Sequence, residues 1–297
     1  MSEDDKRGFV FHSSQGETEL SIDEVKQLAE QKDPDGLYAL GMAYLFGWDI
    51  EQDEDIGYEY LEQASEKGQT EAMTLLVRMY MQGEYDGIDQ EKASKMAIAA
   101  SKDGISDAQM YAGLAYMDGV GVNQDYSEAA RLFRLAANQG NDEARTNLAF
   151  LFQEGLGVEK DEVKAFKMYR TAAKNGNLNG MFHLAVCYEF GTGTETDLVQ
   201  AVEWYTKGSD MGDPFSSERL AYLVSEGYGD NPPDANGAFE LFLKAANSGV
   251  PGAMFMVGYC YLGGNGVAPD IEEAKKWLRM ASDSGIQDTK DLLSELE

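Results

Sequence analysis

Cysteine and histidine are nearly absent from this chain of 297 residues, which holds only Cys187, Cys260, His12 and His183. Two cysteines cannot supply the disulfide framework of a small secreted scaffold. A zinc site needs more His and Cys ligands than this chain can bring together. Basic residues are scarce as well, 24 against 53 acidic ones, for a net charge of −29. A field of that sign repels phosphate backbones and anionic headgroups, so neither nucleic acid nor a membrane surface is an expected partner. No stretch approaches the ~18 apolar residues that span a bilayer. The first residues carry acids where a secretory signal has an apolar core, and there is no Asn-X-Ser/Thr acceptor. A cytoplasmic location and no cofactor are the expectation.

What is abundant is glycine, 32 residues, placed with a period. One column runs Gly68, Gly104, Gly140, Gly176, Gly212, Gly249, Gly285. Another runs Gly47, Gly83, Gly119, Gly155, Gly191, Gly227, Gly264. Each step is 36 residues except one of 37 in each column, which places an inserted residue near Pro232-Pro233. Asp53, Asp89, Asp125, Asp161, Asp197, Asp234 and Asp270 keep the same step, each followed four residues later by Gly or Ala. A fixed period in this range signals a repeat array. Between the glycines, apolar residues recur at three and four spacing, which predicts amphipathic helices. Glycine provides the left-handed residue that ends a helix, and the aspartate stands where the second helix of each repeat begins, as its cap. An aromatic column, Tyr44, Tyr80, Tyr116, Phe152, Tyr188, Val224, Tyr261, shares a first-helix face with Leu40, Leu76, Ala112, Leu148, Leu184, Leu220 and Val257. These are read as packing positions.

The pattern Ala-x3-Leu-Gly-x2-Tyr-x2-Gly-x-Gly-Val, then Asp-x3-Ala-x3-Tyr-x2-Ala-Ala-x2-Gly, resembles the Sel-one-like repeats, relatives of tetratricopeptide repeats. It is clearest over Ala108–Gly140 and Ala144–Gly176, and the fifth repeat carries Ala201, Trp204 and Tyr205. The resemblance implies an all-α, right-handed α/α superhelical solenoid of seven ~36-residue helix-turn-helix repeats with a capping helix at each end. The expected layout is a flexible acidic segment over 1–20, a capping helix over 21–33, seven repeats over 34–285 and a capping helix over 286–297. Ser21-Ile-Asp-Glu24 is a capping-box signature at the start of the first cap. Two repeats depart from the pattern: Gly87 comes too late in the second, and the first has Trp48-Asp49 where the second loop glycine belongs.

Motifs that suggest chemistry dissolve into the repeat. Gly119/Gly121 and Gly155/Gly157 lack the preceding strand and third glycine of a dinucleotide fingerprint. Cys187 and Cys260 share an interior column. They stand two repeats apart, roughly 20 Å at ordinary helix spacing, too far for a disulfide. Secreted members of the resembled family carry a disulfide in each repeat, and this chain has no such pairs. His183 and Cys187 lie four apart on one helix, but an inward cysteine makes a poor nucleophile. Asp49, Glu51, Asp53 and Asp55 lack the central glycine and closing glutamate of a calcium loop.

By analogy with tetratricopeptide repeats, first helices line a concave groove. The positions facing it are Tyr38, Met42, Phe46, Arg78, Met110, Tyr111, Met117, Asn147, Phe150, Phe182, His183, Phe190, Arg219, Tyr222, Phe255 and Tyr259, with Glu189 among the acidic neighbours. A face this rich in aromatics and methionine is the expected binding surface for a protein or peptide, with basic segments favoured by the charge. The reading is therefore a monomeric, non-enzymatic scaffold or adaptor. Two other classes compete with it. One is a hydrolase, because some secreted relatives are linked to β-lactam binding or hydrolysis. The other is a holding protein for a basic partner.

Overall fold

The computed structural model describes residues 9–13 and 16–296. The chain divides into two compact units, one ending at Ala144 and the other beginning at Arg145. The first unit opens with strands β1 (Phe9–Ser13) and β2 (Gly16–Leu20) and helix α1 (Ile22–Glu30). Three helix pairs come next: α2 (Pro34–Phe46) with α3 (Glu54–Glu66), α4 (Thr70–Gln82) with α5 (Gln90–Ala100), and α6 (Ser106–Asp118) with α7 (Tyr126–Asn138). The second unit takes most of α8 (Asp142–Glu154), paired with α9 (Glu162–Lys174). It continues with α10 (Leu178–Phe190) and α11 (Leu198–Asp210), α12 (Pro214–Glu226) and α13 (Ala235–Asn247), α14 (Pro251–Gly263) and α15 (Ile271–Asp283), and ends in α16 (Asp288–Leu296).

The repeat array is all-α, as the period requires. The strandless reading fails at the N-terminal segment expected to be flexible. There β1 and β2 pair antiparallel, Phe9 opposite Leu20 and Phe11 opposite Thr18. Phe-Val-Phe is rich in strand-forming residues, and that local preference is met by a hairpin. Residues 1–8 of that segment, and Ser14 and Gln15, lie outside the described residues. The predicted capping box forms at α1, with the Ser21 side chain accepting from the Glu24 backbone and Glu24 accepting from the Ser21 amide.

All seven column aspartates cap the second helices. The carboxylate accepts from the amide two or three residues on: Asp53 from Ile56 at 3.0 Å, Asp161 from Lys164 at 2.9 Å, Asp197 from Gln200 at 3.0 Å. The same is true of Asp89, Asp125, Asp234 and Asp270. In six repeats the aspartate's own N–H also donates back across the loop to the carbonyl of the aromatic-column residue. The Asp125 amide reaches Tyr116 at 2.9 Å and the Asp197 amide reaches Tyr188 at 2.8 Å. The sixth repeat absorbs its inserted residue in a tight turn, Tyr228 and Asn231 bonding each other's backbone, and Asp234 still reaches Val224 at 2.9 Å.

The second loop glycine has two separate reasons. Gly193 sits at φ +68°, and a Cβ there would lie 2.1 Å from the Glu162 carbonyl oxygen at the start of α9. In the first repeat Asp49 takes the same left-handed position at φ +52°, a conformation Asp tolerates better than most residues. The second repeat has no such residue. Its Asp89 N–H leaves the carbonyl of Tyr80, which accepts from Gly83 instead. The loop turns Tyr85 back onto α3, stacked on Tyr58 at 4.5 Å with its hydroxyl donating to Glu62.

The period also hides a second set of caps. Asp33, Gln69, Asn141, Asn177 and Asp213 cap first helices through their side chains. Ile105 and Val250 occupy the same place without one. The cores run along the columns. In the first unit Leu37, Leu40, Leu61, Leu76 and Val77 are buried together; in the second, Val202, Tyr205 and Leu220 form one cluster and Phe239, Phe242 and Val257 another.

The loop before α11 separates these contributions. Asp197→Ala should cost about 1 kcal/mol for the lost cap. Gly193→Ala should cost more, because it meets both an unfavourable φ and the Glu162 carbonyl. Urea midpoints of the two variants check the order; a Gly193→Ala protein as stable as wild type would refute the close approach.

Candidate partner-binding face

The first-helix positions divide by register within each helix. Counted from the small residue that opens each first helix, the tenth position beyond it is exposed in every repeat, and the sixth is exposed only at Arg78 and Tyr259. Phe46 is 48% exposed and Phe190 62%; Tyr259 is 50% exposed, and Arg78 is exposed too. The second position turns inward. Met110, expected on the open face, is 2% exposed, and Thr74 and Thr146 at the same place are also buried. Tyr38, Met42, Tyr111, Met117, Asn147, Phe150 and Phe255 are half-buried. Tyr38, Met42 and Tyr111 pack against the first unit's core.

In the second unit, three of the expected face residues meet the large buried side chains of the second helices. His183 stacks on Tyr169 with centroids 4.9 Å apart and meets Phe182 edge-on. Phe182 in turn lies 5.8 Å from Tyr205, and Tyr222 meets Phe242 edge-on at 5.0 Å. These side chains hold the helix pairs together. Burial lowers the His183 pKa, so the ring stays neutral at pH 7. The same burial pushes the Cys187 thiol up to about 12, away from the thiolate a nucleophile needs.

Arg219 joins the exposed and buried parts of this face. Its guanidinium pairs with Glu189, whose side chain is only 8% exposed. The Tyr205 hydroxyl donates to the other Glu189 oxygen at 2.8 Å. Glu189 is therefore engaged within the fold and is not a free acid for a partner. The Arg219 guanidinium also lies 5.6 Å from the Phe190 ring and 5.9 Å from Tyr222, within cation–π range of both. Phe190 is held on one side by this cation and open on the other.

The first unit carries a cleft of about 60 Å³ between α4, α5 and α6, walled by Val77, Tyr80, Ala97 and Leu114, with Tyr111 and Asp118. Its origin is a size column that periodicity within single helices does not reveal. Eight residues after each capping aspartate stand Leu61, Ala97, Phe133, Tyr169, Tyr205, Phe242 and Leu278, all buried, with alanine breaking a run of large side chains. Small residues face that column from the first helices. A Cβ on Gly113 would lie 2.5 Å from the Phe133 ring, and one on Gly41 would lie 3.0 Å from Leu61. The second repeat reverses the sizes, with Val77 in the place of Gly41 and Gly113. The cleft is what that reversal leaves.

Among the described residues, no three His, Cys, Asp or Glu side chains gather as a metal site, and no helix is long and apolar enough to cross a membrane.

Two measurements test this geometry. Glu189→Ala strands the Tyr205 hydroxyl and the Arg219 guanidinium, and should lower stability by about 2 kcal/mol. The folded His183 pKa lies below the unfolded value of about 6.5. Its contribution to stability is then complete above pH 6.5 and is lost as pH falls through the folded pKa. Thermal melts between pH 7.5 and about 5 should fall less steeply for His183→Phe than for wild type. Parallel curves would refute the assigned burial.

A model of the Sel1 repeat matches residues 34–69, 106–141, 142–177, 178–213, 215–250 and 251–286, and passes over the second repeat. No curated protein matches the chain. Among solved structures, a Sel1 repeat protein from Oxalobacter formigenes is 26% identical with a TM-score of 0.73, the match covering 93% of this chain and 80% of that one. A protective antigen present in uropathogenic Escherichia coli strains, displaying the SLR fold, is also 26% identical, with a TM-score of 0.53 over 95% of this chain and 76% of its own. An immunity protein from Pseudomonas aeruginosa shares the fold at 14% identity and a TM-score of 0.51, over 73% of this chain and 82% of its own. Six matched repeats over well more than half of the chain, together with these shared folds, make this protein a member of the Sel1 repeat family, built as an all-α helix-pair solenoid.

Proposed function

We propose that the protein is a binding scaffold that holds a partner polypeptide against the exposed apolar positions of its first helices. The observation that carries this reading is the exposure of Phe190 and Tyr259 at the outward positions of α10 and α14. Large apolar side chains in solvent mark interaction surfaces when they share a face, and aromatic and arginine residues dominate interface energetics. Arg219 and Tyr222 lie on α12, and the Arg219 guanidinium is within cation–π range of Phe190. In the first unit, Phe46 and Arg78 occupy the corresponding solvent-facing positions, and Met81 is exposed beside them.

The acidic excess favours a partner with basic segments, drawn in by long-range attraction and seated by apolar contact. A hydrolase built on His183 and Cys187 has the wrong electrostatics, since burial holds the thiol protonated and lowers the basicity of the imidazole. The half-buried members of the expected face, such as Phe182, His183 and Phe255, act in this reading as the support that fixes the exposed ones. The protein works as a monomer, without a cofactor.

The double variant Phe190→Ala with Tyr259→Ala should lose partner capture from native lysate while keeping its helicity by circular dichroism. Leu135→Ala with Val163→Ala removes exposed apolar groups from second helices α7 and α9 and should capture as wild type does. Equal losses in both variants would refute the placement on first helices. Capture should also weaken as salt is raised, because screening shortens the reach of the acidic field.

A further inference from the structure

The cleft in the first unit is not part of the second unit's face. We propose that it is a pocket for one aliphatic side chain, the size of leucine or methionine, presented by a partner polypeptide with a lysine or arginine beside it. This rests on the scaffold reading, and it names a site and a chemistry that reading leaves open.

Four observations support the pocket. Its floor is Ala97, the one small residue in a column otherwise filled by Leu, Phe and Tyr, so the space has the location of a missing side chain. Its walls are mostly apolar, formed by Val77, Tyr80 and Leu114, with Gln90 and Ser94 also on the lining. Its mouth is open: Met81, on its lining, is 52% exposed, and Asp118 is exposed. Its size, about 60 Å³, lies well below the ~150 Å³ of a cavity that admits benzene, so it takes the narrow methyl-bearing end of an aliphatic side chain and not a whole ring.

The rim sets the sign of the flanking charge. Asp118 contributes a carboxylate directly. The Tyr111 hydroxyl on the lining lies in the field of Glu143 and Asp107, against the single cation Arg78. A cationic residue next to the inserted side chain gains from this surplus, and an acidic one is repelled.

The probes are short peptides, acetylated Lys-Gly-Xaa-Gly-Lys with Xaa as Ala, Leu, Met or Phe, and the Glu-flanked equivalents. The readout is the Met81 methyl resonance of the full chain labelled at methionine methyls, assigned through Met81→Leu. The Leu and Met peptides should bind about tenfold tighter than Ala, as expected for two to three additional buried carbons, and tighter than Phe. Glu-flanked peptides should be weaker than their Lys-flanked counterparts. Ala97→Leu fills the space from within, and should raise the melting temperature and abolish the Leu preference. Asp118→Asn changes only an exposed charge, and should weaken the Lys-flanked peptides while keeping the order Leu above Ala.

The pocket is overturned if the Met81 methyl does not respond at millimolar peptide, if Ala binds as well as Leu, or if a folded Ala97→Leu protein binds unchanged. Partner capture that survives Ala97→Leu but is lost in the Phe190/Tyr259 variant overturns the pocket and leaves the scaffold reading intact. Capture retained by both variants overturns both.

Discussion

Each repeat depends on one aspartate that makes two kinds of hydrogen bond at once. Its carboxylate caps the second helix, and in six repeats its N–H ties the start of that helix to the end of the first. The cap satisfies amide groups that a helix start leaves without partners, and it places negative charge at the positive end of the helix dipole. The backbone bond fixes where the second helix starts relative to the first. With both in place the start of the second helix is fixed, and the glycine two residues after the helix-ending one can approach the preceding repeat, as Gly193 approaches Glu162. The inserted residue of the sixth repeat shows which element the fold retains. The turn at Tyr228–Asn231 takes the extra length, and the bond from Asp234 to Val224 survives.

In the second repeat the backbone bond is absent, and the loop changes with it. Asp89 still caps α5, but Tyr80 gives its carbonyl to Gly83, and the loop swings Tyr85 onto the preceding repeat. In the same repeat α5 stops at Ala100, and the large-small pairing across the helix pair runs backwards, Val77 against Ala97. The family model passes over this repeat. These departures occur together because loop shape, helix length and the depth of side-chain packing are set by one geometry; a pair with another loop tolerates another size pattern. The cleft beside Ala97 belongs to that set of departures.

Much of this was legible in the sequence. The glycine and aspartate columns recur at a constant step, and each has a local cause, so helix ends and caps could be placed without tertiary information. The exposure of the face was less legible. A 3.6-residue period gives the angle of a side chain about its helix, but the neighbours decide whether that direction is open. Met110 and Phe190 both belong to the expected face, yet Met110 is buried and Phe190 is largely exposed. Phe182, His183 and Tyr222 are half-buried because the second helices carry Tyr169, Tyr205 and Phe242 opposite them. That opposing column was present in the sequence at the same step. Reading each helix alone hid it, and with it the gap at Ala97. The N-terminal hairpin was missed for another reason: it stands outside the period, where only strand propensity speaks.

The acidic surplus has to be divided before it is used as a functional signal. Asp33, Asp53, Asp89, Asp125, Asp161, Asp197, Asp213, Asp234 and Asp270 all cap helices, and many repeats add Glu or Asp in the first turn. Glu189 is satisfied by Arg219 and Tyr205. These acids serve the fold, and any array of short capped helices accumulates them. Their cationic counterparts at helix ends are fewer: the last turns of α2 through α8 contain no base, and only α9, α11 and α13 carry one, Lys174, Lys207 and Lys244. A protein charged only to complement its own dipoles would place bases there as regularly as it places aspartate at the starts. The asymmetry leaves a negative field that the fold itself does not require, and it is this unbalanced part that bears on the proposal of a basic partner.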